Sequence, residues 1–144
     1  MSYERETSAG YLTNWAARLF ARSLERRIGT GSGPMPVFFA LQDGSTMTQK
    51  ELVQVAAVEQ PTMANTLNRM ERDGLIVRTP DPDDRRSARI ALTPLGLERA
   101  EAAFRAAVEV NDIATSALRP EERPAFHDML RRVVSALERD GEPD

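Results

Sequence analysis

The chain has 144 residues, of which 41% are hydrophobic and 28% charged, and a net charge of −3, which is the composition of one ordinary globular domain. It has no cysteine and one histidine, His127, so disulfides, thiolate nucleophiles, thiol redox sensing and cysteine-ligated metals are excluded, and no metal site is expected. No apolar run approaches the ~20 residues of a membrane span, and no secretory signal is evident, so a cytoplasmic protein is expected.

Two helices are predicted in the N-terminal third. Residues 8–28 form the first, because their apolar side chains recur at three- and four-residue spacing. These side chains are Leu12, Trp15, Ala16, Leu19, Phe20 and Leu24. A glycine-rich connector over 29–34 ends this helix. A second, shorter helix carries the apolar residues of 35–41 and ends at Asp43 and Gly44.

The next two helices have clear start and stop signals. Thr48 and Glu51 have the spacing of a capping box, which opens a helix through Ala56. The fourth helix is predicted from Gln60 to Asp73, with Pro61 in its first turn and Gly74 at its C-terminal stop. Its apolar residues should face the core and its polar residues should face outward. The first set is Met63, Leu67 and Met70; the second is Thr62, Asn65, Thr66 and Arg69, with Gln60 at the helix start.

Two strands follow, at 75–79 and 88–93, joined by a turn that is rich in proline, aspartate and arginine. Thr93 is predicted to cap a helix of about 25 residues that has Pro94 at its first position. A last helix begins near 119–122 and carries an apolar stripe of Phe126, Met129, Leu130, Val133 and Leu137. Residues 140–144 are expected to be disordered.

This order of elements predicts a mainly α fold with a small β-hairpin wing. A winged helix-turn-helix lobe covers about 33–96, and long helices over about 8–28 and 94–139 flank it as dimerisation helices. The whole chain, 1–144, is expected to form one domain. A chain of this size cannot cover every apolar stripe of its long helices by itself, so a second copy is expected to pack on them.

The polar face of the fourth helix is suited to reading DNA in the major groove. Asn and Gln can pair with adenine, Arg with guanine, and Thr with the methyl group of thymine. Polar faces are also common on any surface helix, and the capped helix before it and the hairpin after it favour DNA. The excess of acidic residues lies in 95–144, so the middle of the chain can still present a basic surface. The DNA-contacting candidates are Gln60, Thr62, Asn65, Thr66, Arg69, Arg85 and Arg86.

Two interpretations of the turn with Arg85 and Arg86 remain open. In one, it is a solvated loop in which the neighbouring aspartates form local ion pairs with the arginines. In the other, an acidic residue holds an arginine that enters a narrow minor groove. Its position directly after a helix-turn-helix pattern favours the second interpretation.

With these motifs the chain resembles the MarR (multiple antibiotic resistance regulator) family of transcription factors. The stretch from Asp84 to Gly96 is similar to the family's wing pattern D-x-R-x-x-x-V-x-L-T-x-x-G, with Ile90 at the aliphatic position. Residues 48–52 are similar to its T-x-x-E-L and residues 67–76 to its L-x-x-L-E-x-x-G-L-V. The resemblance covers about residues 10–138, and the terminal helices match only in length and apolarity.

The resemblance implies a homodimer joined by its first, fifth and sixth helices, which binds double-stranded DNA at an inverted-repeat operator, and the function favoured is a ligand-responsive repressor. No cofactor is implied. The candidate effector is a small aromatic or phenolic acid, held by aromatic walls and an arginine partner for its carboxylate. The candidate pocket consists of Trp15, Arg18, Phe38 and Phe39.

Two other classes of function fit the sequence less well. An enzyme would require a nucleophile activated by His127, and nothing around this residue resembles a nucleophile elbow or a phosphate-binding loop. His127 is expected at the surface or in an interface. A winged-helix dimer acting mainly through protein partners is the remaining alternative. It would lack the salt-dependent DNA affinity expected of a repressor.

Overall fold

The structure, a computed structural model, describes residues 2–143. In this range the chain is mainly helical with one small antiparallel sheet, which confirms the predicted fold class. The elements in chain order are α1 (Ala9–Ile28), α2 (Met35–Leu41), β1 (Met47–Thr48), α3 (Gln49–Ala56), α4 (Gln60–Arg72), β2 (Ile76–Pro80), β3 (Ala88–Leu92), α5 (Pro94–Thr115) and α6 (Arg123–Asp140). Short 3₁₀ helices at Arg5–Thr7 and Pro120–Glu122 precede α1 and α6.

The predicted helix caps are present. The Thr48 hydroxyl accepts the Glu51 backbone N–H at 3.2 Å, and the Glu51 carboxylate accepts the Thr48 N–H at 3.4 Å, so the capping box is confirmed. Gly74 follows α4 in the left-handed region, with φ of 75°, which confirms it as the stop signal. The Thr93 hydroxyl accepts the Gly96 N–H at 3.0 Å and so caps α5.

The sheet has three strands in the order β1-β3-β2, with both neighbouring pairs antiparallel. The hairpin of β2 and β3 matches the two predicted strands, except that Pro80 belongs to β2 instead of to the turn. Strand β1 was not predicted, because two residues are too few to show a periodic pattern. It pairs Met47 with Ile90 and Thr48 with Arg89, and so links the start of α3 to the wing.

The core lies among α2, α3, α4, α5 and the inner side of the sheet. The predicted inner face of α4 is confirmed, since Met63, Leu67 and Met70 are almost completely buried. They pack in one cluster with residues that include Leu41, Leu52 and Ile90. Removing such a side chain costs roughly 2–5 kcal/mol. The position of α4 is therefore fixed by its buried face, which leaves its outer face available for binding.

The chain divides into two compact units, one ending at Val108 and the other beginning at Glu109, so the boundary falls within α5. The prediction of a single domain remains a prediction. In the first unit, most of the apolar stripe of α1 is exposed and only Leu24 joins the core. In the second, α6 has no fully buried residue, and Met129, Val133 and Leu137 are exposed.

Two further expectations concern the ends of the chain and the membrane. Asp140 is the last residue of α6, and residues 141–143 are exposed, while Asp144 lies outside the described residues; disorder over 140–144 stays a prediction. Between residues 2 and 143, no helix combines the length and the apolarity that crossing a membrane would require.

Candidate nucleic-acid interface

The outer face of α4 presents the predicted readout side chains. Gln60, Thr62, Asn65 and Arg69 are exposed, whereas Thr66 is half-buried. The helix begins with Pro61 in its first turn, where the missing N–H has no intrahelical partner to lose. Because the opposite face is buried, the exposed side chains project from a helix that cannot rotate about its axis. This arrangement meets the geometric requirement for a recognition helix.

The orientation of Gln60 depends on the preceding helix. The side-chain amide of Gln49, at the start of α3, donates to Gln60 Oε1 at 3.2 Å. With its oxygen accepting this bond, Gln60 has its own NH₂ group to offer to a base. Gln49 was not predicted as part of the site, because the two residues are 11 positions apart and no local pattern joins them.

Arg78 on β2 connects the wing to the recognition helix. It donates to Asn68 Oδ1 at 3.0 Å, and its Nε lies 3.4 Å from Glu71 Oε2, at ion-pair distance but without hydrogen-bond geometry. Both acceptors belong to α4. Arg78 therefore ties the two elements expected to touch DNA to each other, and it is a positioning residue.

Arg89 on β3 makes a second connection, toward the start of the helix-turn-helix. Its guanidinium donates to the Thr46 hydroxyl at 2.7 Å and to the Thr46 carbonyl at 2.8 Å, and it lies 4.0 Å from the Glu51 carboxylate. These bonds leave Arg89 less available to DNA than the arginines at the wing tip. Its role is to hold β3 against the segment that leads into α3.

The wing turn is shaped by its aspartates. Asp81, which is buried, accepts the Asp83 N–H at 3.0 Å through its carboxylate. The Asp84 carboxylate accepts the Arg86 N–H at 2.9 Å, and the Asp84 carbonyl accepts the Ser87 N–H at 3.1 Å. Asp and Asn residues commonly stabilise turns by accepting such bonds from the backbone two residues on. The carboxylates therefore fix the course of the loop.

Both wing arginines are exposed at the tip. Within residues 2–143, no carboxylate lies at ion-pair distance from the Arg85 or Arg86 guanidinium. The local ion pairs of the first interpretation are therefore absent among the described residues. The second interpretation, in which an acidic residue holds an arginine that enters the minor groove, stays a prediction. The Asp81 and Asp84 carboxylates accept backbone N–H groups, and the two guanidinium groups at the tip are available to an external anion.

The four predicted effector residues are not gathered around one cavity in the single chain. Trp15 is half exposed and lies in a recess of about 310 Å³, in edge-to-face contact with Tyr11 at 6.0 Å between ring centroids. Arg18, on the same helix, is exposed. Phe38 is buried and lines a separate cleft, whereas Phe39 packs on Phe104 at a centroid distance of 4.8 Å. The predicted pocket stays a prediction.

Comparison with known proteins identifies the family. The family model described as "MarR family" matches residues 32–87, which include the whole of α3, α4 and the wing turn. The transcriptional regulator HosA of Escherichia coli O111:H- is 31% identical over 100 residues, which are 69% of this chain and 74% of HosA. The chain belongs to the MarR family. This assignment confirms the resemblance found in the helix-to-wing motif, and it places the chain among transcriptional regulators instead of enzymes.

Another relative of this MarR-family chain is the HTH-type transcriptional repressor NicR of Pseudomonas putida. It is 30% identical over 102 residues, which are 71% of the chain. The match covers 65% of NicR, so the chain spans less than two thirds of that protein.

Solved structures show the same fold. A probable transcriptional regulator from Pseudomonas aeruginosa matches with a TM-score of 0.82 and 25% identity, over 90% of this chain and 99% of that one. BpsR of Bordetella bronchiseptica, whose DNA binding is regulated by 6-hydroxynicotinic acid, matches with a TM-score of 0.83 and 24% identity, over 93% of this chain and 98% of BpsR. A mutant of E. coli MarR complexed with operator DNA matches with a TM-score of 0.78 and 21% identity, over 86% of this chain and 91% of that one.

Proposed function

We propose that this MarR-family chain is a sequence-specific repressor that binds an inverted-repeat operator in double-stranded DNA as a homodimer. The observation that carries the proposal is the pairing of an anchored helix with a free wing tip. Asn65 and Arg69 project from α4, whose other face is buried. Arg85 and Arg86 extend from a turn in which the Asp81 and Asp84 carboxylates accept backbone N–H groups. Base edges and phosphates are the ligands that such donors fit.

Exposed apolar side chains support the homodimer. Trp15 and Leu19 on α1 are about half exposed, and so are Val133 and Val134 on α6. Contiguous apolar patches on a single protomer mark interaction surfaces. A twofold pair would cover them and would present two copies of α4 to one face of DNA, which explains the expected inverted repeat. A DNA-bound regulator of this kind would act in the cytoplasm.

A repressor controlled by an aromatic acid agrees with two of the similar proteins. NicR is named as a repressor, and the DNA binding of BpsR responds to 6-hydroxynicotinic acid. For this chain, Trp15, Arg18, Phe38 and Phe39 remain the pocket predicted from sequence, and the effector itself is a proposal. Thiol-based control is excluded, since the chain has no cysteine.

The test of the function is a binding assay on the intergenic DNA upstream of the protein's own gene. The expected footprint is symmetric, with half-sites about one helical turn apart. Affinity should fall steeply as salt rises, because phosphate contacts release counterions. A folded dimer that shows no salt-dependent affinity for this DNA or for random duplex would favour the alternative, a winged-helix dimer that acts through protein partners.

Replacing a wing-tip arginine should weaken binding to all DNA sequences alike. In Arg86→Ala, one phosphate or minor-groove contact is lost, so the slope of log affinity against log salt should fall by about one unit. The matched control is Arg105→Ala, an exposed arginine on α5 that is ion-paired to Glu101. Equal salt slopes for Arg86→Ala and the parent would show that the turn does not touch DNA.

Replacing a recognition side chain should instead change base preference. Asn65→Ala removes a donor and an acceptor from the outer face of α4, and the expected cost is about 1–3 kcal/mol at the preferred operator with little effect on random DNA. Selection of binding sites from a pool of random DNA sequences measures the change in base preference at each position of the operator. A preference identical to that of the parent at every base pair would remove Asn65 from the readout residues.

A further inference from the structure

A hydrogen bond between two glutamines joins the start of α3 to the start of α4. Gln49 is the first residue of α3 and Gln60 is the first residue of α4. The side-chain NH₂ group of Gln49 donates to Gln60 Oε1 at 3.2 Å. Gln60 is exposed, whereas Gln49 is half-buried. The first residues of a recognition helix are the ones that reach base edges, so the orientation of the Gln60 amide affects which base it can bind.

The backbone on both sides of this bond is held in place. The capping box of Thr48 and Glu51 fixes the first turn of α3, which carries Gln49. The Met63 N–H donates to the Glu59 carbonyl at 2.9 Å and closes the first turn of α4. The two glutamines therefore face each other from fixed helix starts, and rearrangement of the contact is limited to their side chains.

The hydrogen bond determines which end of the Gln60 amide is offered to a ligand. A glutamine side chain has an acceptor oxygen and a donor NH₂ group, which point in different directions. Because the oxygen is turned toward Gln49, the NH₂ group is the end that is left, and it makes no hydrogen bond within residues 2–143. A glutamine that uses both ends pairs with adenine, which presents one acceptor and one donor. A glutamine that offers donors alone fits guanine, whose N7 and O6 are two neighbouring acceptors.

We propose that Gln49 is a positioning residue that sets the base preference of Gln60, and that the pair selects guanine in each half-site of the operator. Gln49 acts through the Gln60 amide and does not touch the base. The inference rests on the proposed function, because it requires the start of α4 to lie in the major groove. It deepens that function by assigning one base to one side chain and by making the preference depend on a residue of the preceding helix.

The substitution Gln49→Glu reverses the polarity of the contact. A carboxylate accepts hydrogen bonds and cannot donate one, so the Gln60 amide turns its NH₂ group toward α3 and its oxygen toward the DNA. The oxygen then fits the amino group of adenine or cytosine. We expect the preferred base at this one position to change from guanine to adenine or cytosine, by about tenfold in relative affinity. Helix α3 tolerates the change, because an acidic residue is favourable in the first turn of a helix.

Selection of binding sites from a pool of random DNA sequences, carried out for the full-length parent and each variant, measures the preference. Gln54→Glu is the matched control, since Gln54 is exposed on the same helix and its side chain makes no hydrogen bond among residues 2–143. This control should keep the guanine, whereas Gln49→Ala should relax the preference at the same position to about threefold or less. A purely structural role for Gln49 would lower the affinity for every sequence and would not exchange one base for another.

A double-variant cycle shows whether Gln49 acts through Gln60. Gln60→Ala should lose the guanine preference at one position of each half-site, and adding Gln49→Glu to it should change nothing further at that position. A further change in the double variant would show that residue 49 contacts the base directly, and it would overturn the positioning role. A parent that prefers adenine at the position lost in Gln60→Ala would overturn the assignment of guanine.

NMR of the side-chain amide groups tests the hydrogen bond without DNA. The Gln49 NH₂ signals, assigned from their loss in Gln49→Ala, should shift in Gln60→Ala and stay in place in Gln54→Ala. Unshifted signals in Gln60→Ala would overturn the contact. If the signals shift but the parent has no sequence preference in DNA, the proposed function fails and the selection of guanine fails with it. If the parent has a preference that Gln49→Glu and Gln49→Ala leave unchanged, the inference fails and the proposed function stands.

Discussion

Gly96→Ala is expected to lower the melting temperature by about 10 °C, which corresponds to a loss of about 3 kcal/mol in the free energy of unfolding. A methyl group at Gly96 would overlap the Leu75 carbonyl oxygen, and it would lie 3.0 Å from the Leu75 carbonyl carbon and 3.3 Å from Leu92 Cβ. The same carbonyl oxygen accepts the Thr93 N–H at 3.0 Å. Backbone atoms cannot relieve an overlap by changing rotamer as a side chain can. The start of α5 must therefore move away from Leu75, the residue before β2.

Gly31→Ala is the control for this prediction. It adds the same methyl group to a glycine that has no neighbouring atom within 4 Å of the added carbon. Thermal unfolding followed by circular dichroism should show a change of no more than a few degrees for this variant. A similarly small change in Gly96→Ala would mean that the turns before β2 and α5 are not packed as described.

Leu137→Glu should convert the protein to a monomer and weaken operator binding by about 100-fold or more. Leu137 is 67% exposed on α6, so a glutamate there does not disturb the fold of a single chain. In a homodimer joined through α6, each copy would bring a charge into an apolar interface, where it has no partner and is poorly solvated. The loss in DNA affinity follows because two linked recognition helices bind far more tightly than one.

Sedimentation velocity and gel-shift titrations measure the two effects. Ser135→Glu makes the same charge change on the opposite side of α6, at another exposed position, and should leave both the dimer and operator affinity intact. A dimeric Leu137→Glu protein with normal affinity would exclude this part of α6 from the interface and would require another explanation for its exposed apolar side chains.

Features that depend on neighbouring residues were predictable from sequence. The capping box of Thr48 and Glu51, the buried face of α4 and the stop at Gly74 each arise within one helix, and all three are present in the structure. The wing hairpin followed from two short strands with a turn between them. These elements define the proposed recognition surface because helix periodicity fixes which side chains share a face.

Features that join distant parts of the chain were not predictable. Arg89 and Thr46 are 43 positions apart, and Arg78 reaches back across the turn to Asn68. A sequence shows that an arginine lies in a strand, but it does not show to which carbonyl or carboxylate the side chain donates a hydrogen bond.

The Arg78 contacts have a consequence for how operator preference can change. Asn68 and Glu71 contact Arg78 of the wing through their side chains, although they lie on the same helix as the predicted readout residues. In the proposed complex with DNA, a substitution at either position is expected to alter the angle between helix and hairpin and so to affect several base contacts together. If α4 reads the operator as proposed, we expect new operator sequences to be accessible mainly through Thr62 and Asn65, which are exposed and make none of these contacts. Transplanting the readout of another regulator into this chain should succeed only when Asn68, Glu71 and Arg78 are left in place.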